Sequence, residues 1–277
     1  SLPLYTSTPL FPISLGALFL TASSYLILRF YFQERKPEQF EELKNRFLAS
    51  CRTLLSSDEG EHHLSLAMAL TKLSLYFDDY EWNFYRLPPF LSFLEGGVSR
   101  LSASLYWRDL FDMKVLLLEA AIEEHLAQIR STPTDLEVHA SLAQCYISLS
   151  QVYRSQKGRA ERKGGALFEE KFRESAKLAM EEFHILSHYA PNDPWVHEQL
   201  AAGYRTLEMA QEEVKEVECL LKLRPQDKEI LFRLGKLYFE QGQNAKGLQV
   251  YEELSQAHYK RAEELISSYG KRATLSV

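Results

Sequence analysis

Residues 231–254 read LFRLGKLYFEQGQNAKGLQVYEEL, and this stretch decides the fold. When residues 194–227 are laid over residues 228–261, apolar and small residues coincide at several positions of this stretch. The matched pairs are Leu200 with Leu234, Ala201 with Gly235, Tyr204 with Tyr238, Val217 with Tyr251 and Leu220 with Leu254. A period of this length is typical of stacked helical hairpins, in which no unit buries its apolar face without its neighbours.

Prolines and small residues support the same division of the chain. Pro225 stands where the unit over residues 194–227 must end, and Pro191 stands one full period earlier. A proline disfavours helix at the residue before it, so each of these prolines predicts the end of a second helix. Ala201 and Gly235 are small enough to let the first helix of each pair approach the second closely.

This pattern resembles the tetratricopeptide repeat (TPR) family, whose unit is a 34-residue helix–turn–helix. The clearest copy carries Leu231, Leu234, Gly235, Tyr238, Gly242, Gly247, Tyr251 and Leu254. It departs from the family at Gly247 and Leu254, where the second helix usually has alanines, and in the preceding unit Glu213 replaces a small residue. The resemblance implies an all-α fold, a right-handed solenoid of TPR-like helical hairpins. It covers about residues 115–261 and is firmest over 179–261.

A third unit is split by an insertion. Its first helix carries Leu142, Ala143 and Tyr146, and its second carries Ala179, Phe183 and Leu186. Tyr146 and Ala179 are 33 residues apart where the pattern expects 9, so about 24 residues are inserted. We place the insertion at about 154–173. A closing helix is expected from Ser255 to Tyr269.

The N-terminal segment reads as a membrane anchor. Residues 10–28, LFPISLGALFLTASSYLIL, carry no charged side chain. As a helix they would be about 28 Å long, close to the thickness of the hydrocarbon core of a bilayer. Arg29, Arg35 and Lys36 follow this run, and the positive-inside rule then predicts a single-pass protein whose C-terminal domain is cytoplasmic. The alternatives are a cleavable signal peptide, which would want basic residues before the run, and a buried helix of a soluble core.

The sequence thus predicts four segments. Residues 1–32 are expected to form the anchor, and residues 33–114 a helical region that is either a set of degenerate repeats or a cap. The TPR-like solenoid is expected over residues 115–270, and residues 271–277 would form a tail.

Partner-binding residues follow from the resemblance, because first helices line the concave groove of such a solenoid. We expect the site to consist of Trp195, Arg205, Phe232, Arg233, Lys236 and Phe239, with Gln199 and Ala202 beside them. Aromatic and cationic side chains together suit a peptide or helix that bears acidic residues. The alternative is that Trp195 and Phe232 only pack neighbouring helices. Some TPR proteins clamp a terminal carboxylate, but of the matching positions here only Arg233 has a suitable side chain.

The insertion also holds a basic loop, formed by Arg154, Lys157, Arg159, Arg162 and Lys163. A basic loop on an anchored protein could touch anionic lipid or an acidic partner. The plainer interpretation is a solvated loop, since the whole chain has a net charge of −6 at pH 7. That charge also argues against a general nucleic-acid binder.

No catalytic, metal or cofactor site is expected. The sequence has no phosphate-binding glycine loop and no nucleophile elbow. Its three cysteines are far apart, and Cys145 stands inside a predicted first helix. His184 and His188 are spaced as zinc ligands on one helical face, but the glutamate and third ligand of a metalloprotease are missing from that stretch.

The sequence therefore predicts a non-enzymatic, membrane-anchored TPR scaffold or adaptor that binds a partner protein at the membrane. One alternative is an envelope chaperone or assembly factor that faces the opposite side. Another is a regulatory subunit of a membrane protein complex that acts through the insertion.

Overall fold

The computed structural model describes residues 10–54, 62–78, 80, 82, 93–155 and 165–273. The chain divides into two compact units, residues 1–56 and residues 57–277. All regular secondary structure among the described residues is helical. The first unit contains one long helix, and the second contains nine described helices of 12 to 37 residues.

The first unit is built on α1 (Leu10–Leu54), a helix of 45 residues with Pro37 inside it. An 18-residue window of this helix has a mean hydropathy of 1.5, and no part of that window is buried. Within the described residues, α1 alone is long and apolar enough to cross a membrane. A signal sequence or a core helix can have the same length and composition. The predicted boundary after residue 32 falls inside α1 rather than at a helix end.

The second unit is a succession of helices that pack mainly on their neighbours in sequence. They are α2 (His62–Tyr76), α3 (Glu95–Ser131), α4 (Leu136–Ser155), α5 (Gly165–Tyr189), α6 (Pro194–Thr206), α7 (Ala210–Leu223), α8 (Lys228–Glu240), α9 (Asn244–Gln256) and α10 (Ala262–Ala273). Beyond consecutive helices, close backbone approach in the described part of this unit occurs only between α2 and α4 and between α8 and α10. The predicted boundary after residue 114 falls inside α3.

The repeat period of the sequence is also the period of the helices. The first helices α6 and α8 begin at Pro194 and Lys228, and the second helices α7 and α9 begin at Ala210 and Asn244, so each pair of starts is separated by one full period. The predicted helical hairpins over residues 194–256 are therefore present. The last helix begins later than expected, because α9 continues to Gln256 and a turn precedes α10.

An aspartate two residues after each proline starts the next first helix. Asp135 accepts a hydrogen bond from the backbone N–H of Glu137 at 3.0 Å, Asp193 from that of Trp195 at 2.9 Å, and Asp227 from that of Glu229 at 3.0 Å. Each carboxylate satisfies an N–H that has no partner inside the helix, as an N-cap does. The Pro-x-Asp sequence thus ends one helix and begins the next at three boundaries.

Small residues bring the helices of a pair together, as predicted. A Cβ atom at Gly235 would lie 2.7 Å from Cγ1 of Val250 in α9 and 3.1 Å from Cδ1 of Leu265 in α10. The tyrosines bridge successive pairs: the Tyr204 hydroxyl lies 2.9 Å from Nε2 of His184 in α5, and the Tyr238 hydroxyl donates to Glu218 in α7 at 2.7 Å.

The described residues of the predicted insertion are helical. The helices α4 and α5 have 20 and 25 residues, whereas α6 and α7 of the next pair have 13 and 14. Residues 154–155 and 165–173 therefore extend the two helices of a regular pair. The expectation of one long loop there is corrected accordingly, because Gly165 to Arg173 belong to α5.

Candidate functional site

Three of the predicted groove residues meet in one cleft between α6, α7 and α8. This charged cleft has a volume of about 440 Å³ and is lined by Arg205, Glu208, Ala210, Glu213, Arg233, Lys236, Leu237 and Glu240. Arg205 comes from one first helix, and Arg233 and Lys236 come from the next. The predicted cationic set Arg205, Arg233 and Lys236 is thus brought together in the structure.

A buried carboxylate organises the cleft. Glu213 is only 3% exposed, yet its Oε1 accepts hydrogen bonds from Nε of Arg205 at 2.8 Å and from Nη2 of Arg233 at 3.0 Å. A buried ion pair is costly unless its geometry is good, and removal of one partner leaves an uncompensated charge. Glu213 therefore fixes both arginines, while Lys236 stays exposed at the rim of the cleft.

The charged cleft depends on two residues that differ between successive repeats. Arg205 and Glu213 occupy the positions that Phe239 and Gly247 occupy in the following repeat. In the later pair of helices, the Phe239 ring lies where a Cβ atom of residue 247 would be, with ring carbons 2.7 to 2.8 Å from that point. The first repeat thus has an ion pair between Arg205 and Glu213 where the following repeat packs the Phe239 ring on Gly247. The departure of Glu213 from the TPR pattern was the sequence signal for this site.

Two predicted groove aromatics belong to the core instead. Phe232 and Phe239 are each 6% exposed, so the expectation that they line an open groove is corrected. Phe239 is covered by α9 at Gly247. Phe232 is covered from the turn before α10, where the guanidinium carbon of Arg261 lies 4.2 Å from its ring centroid and the Tyr259 ring lies 6.0 Å away.

Trp195 lies between the two interpretations that the sequence left open. Its side chain is 39% exposed, and its ring packs edge-on against Phe183 with centroids 5.8 Å apart. Trp195 is not among the residues that line the charged cleft. The structure therefore separates it from Arg205, Arg233 and Lys236.

A second cavity lies between α4, α5 and α6. We call it the glutamine cavity; it has a volume of about 230 Å³. Polar side chains from the first helices line it, and these are Gln144, Ser150, Gln151, Arg154, Gln199 and Thr206. Its apolar lining comes mostly from α5, including Phe172, Met180 and Phe183. Sequence reasoning named Gln199 and Ala202, which line it, but missed Gln151, whose signal is its place two helical turns after Gln144.

The predicted basic loop is described at one residue. Arg154 lies near the end of α4, with its guanidinium carbon 5.8 Å from the Phe172 ring centroid. It lines the glutamine cavity. Lys157, Arg159, Arg162 and Lys163 lie outside the described residues.

The other candidate side chains have structural partners. His184 meets the Tyr204 hydroxyl, and His188 packs against Tyr189 with ring centroids 5.5 Å apart. The Cys145 thiol donates to the Leu118 carbonyl at 3.6 Å, and burial raises the pKa of Cys145 to about 12. In the described part of the chain, no three His, Cys, Asp or Glu side chains are grouped so that they could hold a metal ion.

Comparisons with known proteins identify no family for this chain. No family model matches it. No curated protein matches it. Among solved structures, a chain described as "MamA MSR-1 C2" is similar, with 18% sequence identity, a TM-score of 0.27, and coverage of 59% of this chain and 97% of that one. A TM-score of this size carries no argument about fold or function, so the helical pairs are defined by the packing of this chain alone.

Proposed function

We propose that this protein is a membrane-anchored scaffold of the TPR type that binds a partner protein and has no enzymatic activity of its own. Its second unit would be a right-handed solenoid of helical hairpins on the cytoplasmic side of the membrane. The observation that carries the proposal is the charged cleft, where cationic side chains of two successive first helices converge. Arg205 and Arg233 are held there by Glu213 before any partner arrives.

Pre-organisation is the physical reason to assign binding to this cleft. Ordering a long side chain on association costs about 0.5–1.5 kcal/mol, and a guanidinium that is already fixed avoids part of that cost. Lys236 adds an exposed cation at the rim. Glu208 and Glu240 line the same cleft, so a partner would present both acidic and basic groups.

The N-terminal helix supports the anchoring part of the proposal. Its apolar window has no buried part, and Arg29, Arg35 and Lys36 follow the apolar run. An anchored scaffold raises the local concentration of its binding surface, so a weak intrinsic affinity suffices at the membrane.

Anchoring is tested by placing charge in the apolar window. Phe19→Arg combined with Leu20→Arg should release the full-length chain from membranes washed with alkaline carbonate, because each arginine near the centre of a span costs about 3 kcal/mol. The control is Leu43→Arg with Leu54→Arg, which changes exposed residues of the same helix outside the predicted span. Retention of the first variant in the washed membranes would show that the helix is not a span.

Protease accessibility on the same membranes tests orientation. Protection of the second unit in sealed vesicles that keep the native orientation supports the cytoplasmic assignment. Digestion from outside would overturn it and favour the envelope chaperone, whose cleft would face the other compartment.

Binding is tested by photo-crosslinking from the rim of the charged cleft in the anchored chain. A crosslinker at position 240, an exposed position that lines the cleft, should label a discrete neighbour. Lys236→Glu should abolish that labelling, whereas Lys222→Glu, an exposed change on α7, should not. Arg233 is unsuitable for charge reversal, because it contacts the buried Glu213. Equal labelling in the Lys236→Glu and Lys222→Glu variants would contradict the assignment of the cleft.

A further inference from the structure

Two repeat boundaries carry the same histidine arrangement. Nδ1 of His139 lies 2.6 Å from Oε2 of Glu182, and its Nε2 lies 3.1 Å from the carbonyl oxygen of Pro133. Nδ1 of His197 lies 2.7 Å from Oε2 of Glu216, and its Nε2 lies 2.9 Å from the carbonyl oxygen of Pro191. Each histidine stands six residues after its proline. Each therefore ties the turn before a first helix to the second helix of the same pair.

The arrangement requires two protons on each ring. A carboxylate and a carbonyl oxygen are both acceptors, so each ring nitrogen must donate, and only the imidazolium has two N–H groups. A neutral ring keeps one of these hydrogen bonds and leaves the other acceptor facing a bare nitrogen. Loss of one proton therefore breaks one link of the junction in a partly buried place, where an unmade hydrogen bond is expensive.

Electrostatics favour the charged ring at both boundaries. Burial lowers the pKa of His139, but the hydrogen bonds to Glu182 and to the Pro133 carbonyl outweigh it, and the net shift is upward. At His197 burial also lowers the pKa, and the hydrogen bonds to Glu216 and to the Pro191 carbonyl again outweigh it, so the net shift is upward. The cap aspartates at the two turns, Asp135 and Asp193, add attraction in the same direction.

The two junctions lie on either side of the glutamine cavity. His139 joins α4 to α5, and both helices line that cavity. His197 joins the turn after α5 to α6 and α7, and α6 lines the cavity as well. All three helices around the cavity are thus held by one or the other histidine.

The third boundary lacks the arrangement and serves as an internal comparison. Leu231 stands six residues after Pro225, where the other boundaries have histidine, and Val250 occupies the position that corresponds to Glu216. Both are buried in one apolar cluster. The packing of α8 on α9 at this boundary has no matching titratable pair.

We propose that the His139 and His197 junctions form a proton-dependent latch that holds α4, α5 and α6 rigid at mildly acidic pH and loosens the walls of the glutamine cavity as the pH rises. The sign follows from linkage. A group whose pKa is raised on folding stabilises the native state fully below its unfolded pKa, about 6.5 for histidine, and loses that contribution as the pH passes the folded value. The latch does not depend on the identity of any partner.

The test combines histidine titration by NMR with hydrogen exchange of the full-length chain in detergent. In the wild type, His139 and His197 should titrate above the usual histidine pKa of about 6.5. Amide protection of α4–α6, corrected for intrinsic exchange, should be higher at about pH 6 than at about pH 8.5, by about tenfold for each unit by which a junction pKa is raised. Protection of α8 and α9 should not show this dependence.

Conservative variants separate the latch from ordinary packing. Glu182→Gln and Glu216→Gln keep an oxygen acceptor in nearly the same place but remove the charge, so they should lower the histidine pKa and flatten the pH dependence. Glu218→Gln, on the same helix as Glu216, is the matched control. Equal protection of α4–α6 at both pH values in the wild type would overturn the proposal. A pH dependence that persists in the double variant Glu182→Gln with Glu216→Gln would overturn it as well.

Discussion

At the scale of single residues, Gly247 lies directly against the buried ring of Phe239. A methyl group there would lie 2.7 to 2.8 Å from three carbons of the buried Phe239 ring. Gly247→Ala should therefore lower the free energy of unfolding by about 1–3 kcal/mol, even though alanine is the better helix former. Urea denaturation of the second unit, followed by circular dichroism, measures this change.

Gly97→Ala is the matched control for that substitution. Gly97 also lies inside a helix, α3, but none of the residues that the structure describes stands within 4 Å of an added Cβ atom. This variant should gain about 0.5–1 kcal/mol from the lower backbone entropy of the unfolded chain. Two glycine variants of equal stability would show that Phe239 is free to move away from position 247.

The charged cleft offers a second prediction at this scale. Glu213→Ala removes the common acceptor of Arg205 and Arg233, and in the described part of the chain Nε of Arg233 is already buried without a hydrogen-bond partner. We expect a loss of about 3 kcal/mol in the free energy of unfolding. Lys236→Ala, which changes an exposed side chain of the same cleft, should have almost no effect in the same denaturation experiment. A Glu213→Ala variant as stable as the wild type would mean that the two arginines find other partners.

The repeat spacing predicted the helix on which each site residue lies, but not whether its side chain is buried. The repeat spacing put Arg205, Arg233 and Lys236 on first helices, and there the structure brings them together. It could not reveal the burial of Phe232, because Tyr259 and Arg261 cover that ring, whereas the matching positions of the preceding repeat hold Pro225 and Asp227. Burial depends on the neighbouring segment, whereas the period describes one unit at a time.

At the scale of helices, α3 carries a buried histidine, His125, whose pKa is shifted in the opposite direction to those of His139 and His197. His125 is almost fully buried, its Nδ1 has no hydrogen-bond partner among the described residues, and burial lowers its pKa to about 4. The folded chain therefore binds this proton less readily than the unfolded chain. The contribution of neutral His125 to the free energy of unfolding is complete above about pH 6.5. It falls by about 2–3 kcal/mol as the pH drops toward 4.

The measurement is the free energy of unfolding between about pH 6.5 and about pH 4. His125→Gln should reduce the fall in stability on acidification, since glutamine keeps a polar group near Ser141 and does not titrate. His63, which is more exposed and pairs with Glu124, provides the control substitution His63→Gln. An unchanged acid dependence in His125→Gln would assign the loss of stability to other groups, chiefly carboxylates.

The helices also show why the insertion was only half predictable. Counting residues between Tyr146 and Ala179 gave its length, because repeat positions on both sides were recognisable. The count did not reveal that the described residues of the insertion lengthen α4 and α5. Phe111, Tyr153 and Phe168 pack together at these extended ends, with ring centroids 5.3 to 6.4 Å apart. The partner on α3 comes from a region without a visible period, so no repeat position indicated that the pair is extended.

At the scale of the whole second unit, the contacts between neighbouring helices predict that stability is transmitted locally. In a one-dimensional stack, each unit is stabilised by its own packing and by its nearest neighbours. Leu66 in α2 and Leu265 in α10 are both buried, at opposite ends of the described helices. Leu66→Ala and Leu265→Ala should each leave a cavity in the core and lower the local free energy of unfolding by about 2–5 kcal/mol.

Hydrogen exchange resolves where those costs are felt. Leu265→Ala should lower amide protection most strongly in α8 and α9, which contact α10, and leave α2 to α4 nearly unchanged. Leu66→Ala should give the reverse distribution, so the two variants control for each other. A uniform loss of protection across both ends in either variant would describe one cooperative globule, in which case the solenoid description would fail. Graded, mirror-image losses would instead establish that the helical pairs act as stacked units, the property that lets one pair carry a charged cleft and another a titratable junction.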